Sequence, residues 1–485
     1  MRILMKKFII TAFLSFILFA GFTIPTYALS DTQSMAIQTL LDRACHISGV
    51  PGMSVSIIEG EETFYFSSGF ADREKGLPAS ENTLYELASV SKAFTGAGIL
   101  LLEEKGLLSM TDPIEKHLPW FTLKHQGRTV DSKSLTLNNF LHHTSGLTNK
   151  RHIQHIPQGN SPGMLQKNVK MLVNAKLAFP PGEQYDYGTV NYDVLGLVIE
   201  AVSGQSYETF MTEQVFQPLG LNSTYVYKTD AQRTGQLAQG YRTSFSITTP
   251  YDAPEYAGNK PAGYIMSSAM DMVRWMNIQM GVIQDIPDVF KGIVIKSHQG
   301  DESVPNVNGM YYGAGWFVNA DETIIKHEGG NPNFATAVAI LPNERVAICL
   351  LSNGANTNVE LVKSIQSILH GNLTQSYKIS NRQLLDLVLS SVTIITCLLA
   401  VKFFLLGLRR KKRNVEQCFT KKKRLLTIVW LLNTVFICII CWIFPMFSGY
   451  DWTTILVWQT YSILTTFISL ALLSLSVTWL VFSGR

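Results

Sequence analysis

The sequence predicts an α+β domain outside the cell, followed by membrane-spanning helices. Three observations carry that expectation. Alternating apolar segments, the mark of half-buried strands, occur at 53–70 and again at 311–351, with helical periodicity between them. The N-terminus has the charge, apolar run and small residues of a secretory signal. Beyond residue 383 the chain is apolar in stretches long enough to cross a bilayer. Strands at both ends of one domain predict an antiparallel sheet assembled from the two termini, flanked by helices. The helical region between them forms a second lobe, and a cleft between lobes is the natural place for a site.

In chain order, residues 1–28 read as the signal. Arg2, Lys6 and Lys7 form its positive start, Phe8 to Ala20 its apolar core, and Thr26-Tyr27-Ala28 its cleavage site. Retention as an uncleaved anchor is the alternative, and either way the next domain, 31–370, is exported. Thr32 to Ser48 has the pattern of an amphipathic helix. Met53–Ile58 and Thr63–Phe70 flank Glu-Gly-Glu-Glu as a hairpin. Apolar periodicity then runs from Ser89 through Leu102 until Gly106 stops it. Helical stretches follow at Leu137–His143, Gly163–Ala175, Asn191–Val202, Ser206–Val215 and Ser268–Met280. Strand character returns at Tyr311–Val318, Thr323–His327, Phe334–Leu341 and Val346–Leu351, and a helix from Asn358 to Leu369 closes the domain.

A polar linker, 371–382, leads to a membrane domain, 383–485, with spans expected at about 384–408, 425–447 and 452–482. Between Arg409 and Arg424 lie nine basic residues and one acid, Glu416, which places that loop in the cytoplasm. The topology is then a multi-pass cell-membrane protein with its large domain outside and its C-terminus inside. Lys402 lies within the first span and reads as a snorkelling lysine. Outside the basic loop, 31 basic face 35 acidic residues, so the formal charge of +4 is local and not a nucleic-acid surface. Of six cysteines only Cys45 and Cys349 fall in the exported part, where two lone cysteines are more often buried packing residues than a pair. Cys438 and Cys441 sit inside an apolar span. No His, Cys and Asp grouping has metal-ligand spacing, and no cofactor is expected.

The chemistry centres on Ser89-Val90-Ser91-Lys92, where a serine and a lysine three residues apart share one face of a helix's first turn. A helix N-terminus also supplies N–H groups and a positive dipole end for an oxyanion. Two further constellations follow. Tyr185-Asp186-Tyr187-Gly188-Thr189 offers two tyrosines, either of which could shuttle protons from a loop at the cleft. In Lys326-His327-Glu328-Gly329-Gly330-Asn331 only one of Lys326 and His327 can face the cleft from a strand. The glycines there permit close ligand approach and an N–H donor.

Ser-x-x-Lys is the nucleophile motif of the serine β-lactamase and penicillin-binding fold. With the segments above, and with Leu141-His142-His143-Thr144-Ser145-Gly146-Leu147 and Tyr312-Gly313-Ala314-Gly315-Trp316, the chain resembles the class C β-lactamase and D-aminopeptidase family. The resemblance covers about 35–370 and implies a β-lactamase/transpeptidase-like fold. It implies Ser89 as nucleophile, Lys92 as its base, and Tyr187 as the tyrosine that assists proton transfer to the leaving amine. It also implies an oxyanion hole from the N–H groups of Ser89 and Gly330. His327-Glu328-Gly329 stands where many relatives have Lys-Thr-Gly, and His142 and His143 read as structural. One departure is informative: the family's asparagine two residues after the tyrosine is Thr189, which argues against ordinary β-lactam hydrolysis.

A narrower group is similar over more of the chain: the prodrug-activating peptidases of colibactin and zwittermicin maturation. These have a signal, this peptidase domain and three C-terminal spans. The matching stretches are Tyr85–Gly96, Asn191–Gly196, Gly330–Phe334 and Asp451-Trp452. That resemblance implies removal of an N-acyl-D-asparagine cap from an exported nonribosomal peptide precursor, with Thr189, His327 and Asn331 binding substrate. A histidine of the colibactin enzyme has no counterpart here; the nearest residue is Asn259. The partners implied are the acylated precursor and membrane lipid, and a homodimer is left open. The alternatives are a cell-wall D-alanyl esterase, a D,D-carboxypeptidase, or a non-catalytic penicillin-binding sensor.

Overall fold

A computed structural model describes residues 29–153, 156–305, 307–355, 360–412, 428, 430, 431, 434, 435 and 449–483. The signal segment 1–28 and most of the second expected span, 425–447, lie outside the described residues. The main helices of the large domain are α1 (Asp31–Ser48), α2 (Ser91–Glu104), α3 (Val190–Ser203), α4 (Ala269–Gln279), α5 (Asp288–His298) and α6 (Glu360–Leu369). Its large sheet comprises β1 (Gly52–Glu59), β2 (Glu62–Asp72), β3 (Leu77–Pro78), β4 (Met310–Tyr312), β5 (Phe317–Asn319), β6 (Ile325–Gly330), β7 (Ala335–Leu341) and β8 (Val346–Ser352).

The strand order is β4-β5-β6-β7-β8-β1-β2-β3, antiparallel throughout. The first strand pairs with the last, Val55 opposite Leu350 and Ile57 opposite Ile348, so the domain's two ends meet in mid-sheet. Period-two alternation then decides which face each side chain covers. Met53, Val55 and Ile57 join Ile37, Leu40 and Leu41 of α1 and Leu361, Ile365 and Ile368 of α6 on one face. Ile58, Cys349 and Leu351 face the other way, toward α2 and the helical lobe. Ser30 starts α1 with a capping box, its hydroxyl taking the Gln33 N–H while the Gln33 side chain takes the Ser30 N–H. Such a cap contributes about 1 kcal/mol. Cys45 and Cys349 are both free thiols.

Several expected elements are divided. The single strand expected at Tyr311–Val318 is two, β4 and β5, because Gly313-Ala314-Gly315-Trp316 turns inward against α2. Gly315 has φ +88°, and a β-carbon there would run into the Ala93 backbone, so only glycine fits. The helix expected at Ser206–Val215 starts as α over Tyr207–Phe210 and widens to a π-helix over Met211–Phe216. Helix α5 has no counterpart among the expected elements.

Beyond the linker, α7 (Asn381–Lys412) is followed by α8 (Trp452–Trp458) and α9 (Tyr461–Phe482). The stretch 452–482, expected as one over-long span, therefore breaks at Gln459-Thr460, where Thr460 caps α9 by accepting from the Ser462 N–H. α7 and α9 hold the two stretches, among the described residues, that are long and apolar enough to cross a membrane, with mean hydropathies of 2.3 and 2.0. They pack through Thr393–Thr466 (2.9 Å) and Thr396–Ser469 (2.7 Å) hydroxyl pairs. The large domain rests on this pair through the hairpin Tyr241–Ser244 and Ile247–Pro250. There Arg242 lies between the Tyr251 and Tyr461 rings and bonds the Leu456 and Val457 carbonyls. Asp386 in turn accepts from the Phe245 and Ser246 N–H groups.

Candidate active site

The site is built on the turn that enters α2. Ala88 adopts φ +47°, uncommon for a residue with a β-carbon, and opens a 3-10 turn, Ala88–Val90, that presents Ser89 half-exposed at the helix start. One turn on, Lys92 is fully buried, its exposure 0%. Its Nζ lies 3.2 Å from Ser89 Oγ, 3.1 Å from Thr189 Oγ1 and 2.6 Å from the Ala262 carbonyl. Burial lowers Lys92 to about 7, against the opposing pull of Asp193. The Ala262 carbonyl can only accept, and Thr189 can accept as well. Two N–H bonds of a neutral Lys92 therefore have fixed partners, and its lone pair is left for the Ser89 proton.

The Tyr187 ring stands 5.0 Å from Lys92 Nζ and 4.3 Å from the His143 ring. Its hydroxyl is buried outside bonding geometry with any described group. Burial pushes the phenol well up despite the nearby Ser89 and Tyr312 hydroxyls, so it is protonated at neutral pH. Behind it His143 accepts from the Gly188 N–H (3.3 Å) and Asn191 Nδ2 (2.9 Å) through Nδ1. His142 donates from Nδ1 to the Tyr312 carbonyl at 2.7 Å. Both histidines thus brace the tyrosine layer. Of the two candidate tyrosines, Tyr187 stands over Lys92 and Tyr185 packs against Tyr312 and Phe317.

His327, expected among the substrate-binding residues, sits beneath the tyrosine layer. It is 2% exposed, its Nδ1 donates to the Glu328 carbonyl at 2.7 Å, and its Nε2 therefore accepts from the Tyr312 hydroxyl at 3.0 Å. Burial and Lys92 hold it neutral, at about 3. Both nitrogens have protein partners, and the ring orients Tyr312. Lys326, half-exposed, faces away, as strand alternation requires.

The end of β6 runs against the nucleophile turn. A β-carbon on Gly329 would stand 2.5 Å from the Leu87 carbonyl and 2.8 Å from the Ser89 nitrogen, whereas one on Gly330 would meet nothing within 4 Å. Asn331 is 3% exposed, and its Nδ2 donates to Glu86 Oε2 (2.6 Å) and the Gly263 carbonyl (3.0 Å). Both partners are acceptors, which fixes the amide's orientation. Among the described residues nothing donates to Asn331 Oδ1. Glu86 also lines a cavity of about 350 Å³ whose apolar wall includes Met164, Leu165, Val226, Met266 and Tyr264.

Two residues here carry no expected role. Glu86, buried and raised by burial, orients Asn331. Asp193, fully buried on α3, takes Asn259 Nδ2 on both carboxylate oxygens (2.9 and 2.7 Å) and Asn168 Nδ2 at 2.8 Å. A carboxylate three residues before Ser89, and one on the face of α3 that follows Thr189, were legible only as ordinary acidic residues. Among the described residues no group of His, Cys, Asp and Glu could hold a metal ion.

A buried lysine on Ser89, a tyrosine over both, and a glycine strand end beside the turn suit a serine hydrolase of the β-lactamase/transpeptidase fold. The comparisons agree: residues 37–372 match the Beta-lactamase family model, and the chain belongs to that family. It is similar to Protein flp of Staphylococcus aureus (strain MW2), 28% identical over 89% of this chain and 86% of that protein. It is also similar to Penicillin-binding protein 4* of Bacillus subtilis (strain 168), 29% identical over 71% of this chain and 77% of the other. Among solved structures, the octameric penicillin-binding protein homologue of Pyrococcus abyssi superposes with a TM-score of 0.59 at 24% identity, over 70% of this chain and 77% of that one. A class C beta-lactamase gives 0.60 at 18% identity, over 71% and 97% respectively. At these identities the structural likenesses speak to fold.

Proposed function

We propose that this protein is a membrane-anchored serine peptidase that removes an N-acyl-D-asparagine cap from an exported peptide precursor. The observation that carries the reading is the fixed orientation of Asn331. Its Nδ2 is committed to Glu86 and Gly263, so only Oδ1 remains, as an acceptor. Thr189, already accepting from Lys92, keeps a hydroxyl proton to donate. An acceptor and a donor at one site suit a primary amide, which needs both.

In the proposed reaction neutral Lys92 takes the Ser89 proton as Oγ attacks the carbonyl of the D-asparaginyl group. The N–H groups of Ser89 and Gly330 receive the oxyanion. Tyr187 passes a proton to the leaving amine as the C–N bond breaks, releasing the mature peptide and leaving an ester on Ser89. Water, deprotonated by the same groups, then hydrolyses the ester and returns the proton to Ser89. The apolar helices α7 and α9 would hold the enzyme where an acylated precursor emerges, with the large domain outside.

The test is turnover of N-myristoyl-D-Asn amide against its L-Asn and D-Ala analogues by the wild type, Ser89→Ala and Asn331→Ala. A substrate lacking the side-chain amide leaves buried partners unpaired, so D-Asn is expected to win by about 10²-fold or more. Equal turnover of D-Ala and D-Asn sinks the reading. That result would favour a cell-wall D-alanyl esterase or D,D-carboxypeptidase.

A further inference from the structure

We propose that Asp193 is the buried counter-charge of Lys92, a positioning residue clamped by Asn168 and Asn259 that sets the acid limit of Ser89 acylation. The argument rests on which segments hold which atoms. Thr189 and Asp193 are four residues apart at the start of α3, so they share a face one turn, about 5.4 Å, apart. Thr189 Oγ1 contacts Lys92 Nζ, which puts Asp193 behind that contact. The second segment repeats the arrangement: Ala262 offers its carbonyl to Lys92, and Asn259, three residues earlier, bonds both oxygens of Asp193. The two segments that hold the ammonium also hold the carboxylate.

Every polar contact to Asp193 is a donor, two from Asn259 and one from Asn168, whose amide is itself anchored on the Gly258 carbonyl at 2.8 Å. A donor-only environment of this kind suits the ionised carboxylate, which can only accept. No described residue forms an ion pair with it. The other titratable groups around the pair carry no charge near neutrality. His143 and His327 are held neutral by burial and by Lys92 itself, and the Tyr187, Tyr192, Tyr207 and Tyr264 phenols are all raised by burial. Asp193 is thus the acidic group whose charge Lys92 feels. Burial pulls Lys92 down to about 7 and Asp193 up to about 8, and their mutual attraction opposes both movements. When Lys92 takes the Ser89 proton, the ammonium forms beside a carboxylate whose ionised form that ammonium itself favours.

The sign follows directly. Lys92 acts as base only when neutral, so acylation falls as pH drops through its titration. Removing the carboxylate leaves burial unopposed, so the acid limb moves to lower pH while the plateau rate falls, because the ammonium loses its partner. The experiment measures Ser89 labelling by a fluorophosphonate probe between pH 5 and 9, on the full chain in detergent, with Ser89→Ala as background. Asp193→Asn should shift the acid limb down by about one pH unit or more and lower the plateau about tenfold. Asn259→Leu removes two of the three donors, lets Asp193 take up a proton more easily, and should shift the limb the same way. A folded Asp193→Asn or Asn259→Leu whose limb coincides with the wild type overturns the proposal. So does absence of Ser89-dependent labelling in the wild type. The proposal rests on the Ser89–Lys92 reading above but not on the D-Asn assignment, because the probe carries no asparagine; D-Asn turnover can fail while this shift is observed.

Discussion

Gly329→Ala isolates the contact on which the geometry of the site depends. The new methyl group would stand 2.5 Å from the Leu87 carbonyl, 2.8 Å from the Ala88 β-carbon and 2.8 Å from the Ser89 nitrogen. Two of these neighbours are backbone atoms of the nucleophile turn, so no flexible side chain can swing aside. Restoring ordinary contact at 3.4 Å requires the end of β6 and the turn to part by about 0.9 Å. That movement separates the two N–H groups proposed for the oxyanion, on Ser89 and on Gly330. A misplacement near 1 Å costs on the order of 10²-fold in rate, or about 2.7 kcal/mol of transition-state stabilisation. Overpacking of this kind costs roughly 1–3 kcal/mol of stability, since β6 is held by β7 along its whole length. The assay compares kcat/KM for a simple ester with the thermal unfolding midpoint. The expected result is a loss of about 10²-fold in a protein that still melts cooperatively. Wild-type kcat/KM at an unchanged midpoint would refute the reasoning, because the strand end could then yield without consequence for the site.

Two further outcomes follow from the same geometry. His327 is held at about 3 in the folded protein against an unfolded value near 6.5, so the unfolded state binds the extra proton first and stability falls as pH drops below 6.5. Between pH 7 and 4.5 that loss is roughly 2–3 kcal/mol. Thermal midpoints of His327→Gln over that range should decline less steeply than the wild type, and parallel slopes would count against the assignment. Gly292 sits exposed in the middle of α5 with nothing within 4 Å of an added β-carbon, so Gly292→Ala should stabilise by about 0.5–1 kcal/mol with kcat unchanged. A lowered unfolding midpoint would contradict it.

How far the sequence alone reached depended on whether the physics was local. The hairpin β1–β2 and the helix α1 were readable because period-two alternation, a turn and a cap occupy consecutive residues. The Ser89–Lys92 spacing was readable for the same reason: three residues at a helix start leave little freedom in where the side chains go. What escaped was set by distant packing. The break between β4 and β5 follows from Gly315 lying on Ala93, more than two hundred residues away in the chain. His327 looked like a cleft residue by its place beside the glycines. Only the fold shows Tyr312 closing over its Nε2. Glu86 and Asp193 carried no local signal, since an acidic residue near a helix is ordinary until its burial and partners are known.

These two buried acids explain how one lysine and one asparagine can be given single roles. A lysine free to rotate among acceptors would be a poor base, and an asparagine free to flip would read donor and acceptor alike. Here Asp193, behind Thr189 and Ala262, opposes the full drop that burial would impose on Lys92. Glu86, three residues before the nucleophile, removes the donor half of Asn331 from play. Burying either carboxylate costs several kcal/mol unless its oxygens are bonded, and in both cases the bonds come from asparagine amides, which neutralise no charge. The amides therefore hold each carboxylate in place without supplying a counter-charge. A lysine or arginine in place of Asn168 or Asn259 would satisfy Asp193 better and remove its hold on Lys92. On the proposed mechanism, stability of the pocket is thus traded for control of Lys92, the kind of compromise expected where a fold is arranged around one proton transfer.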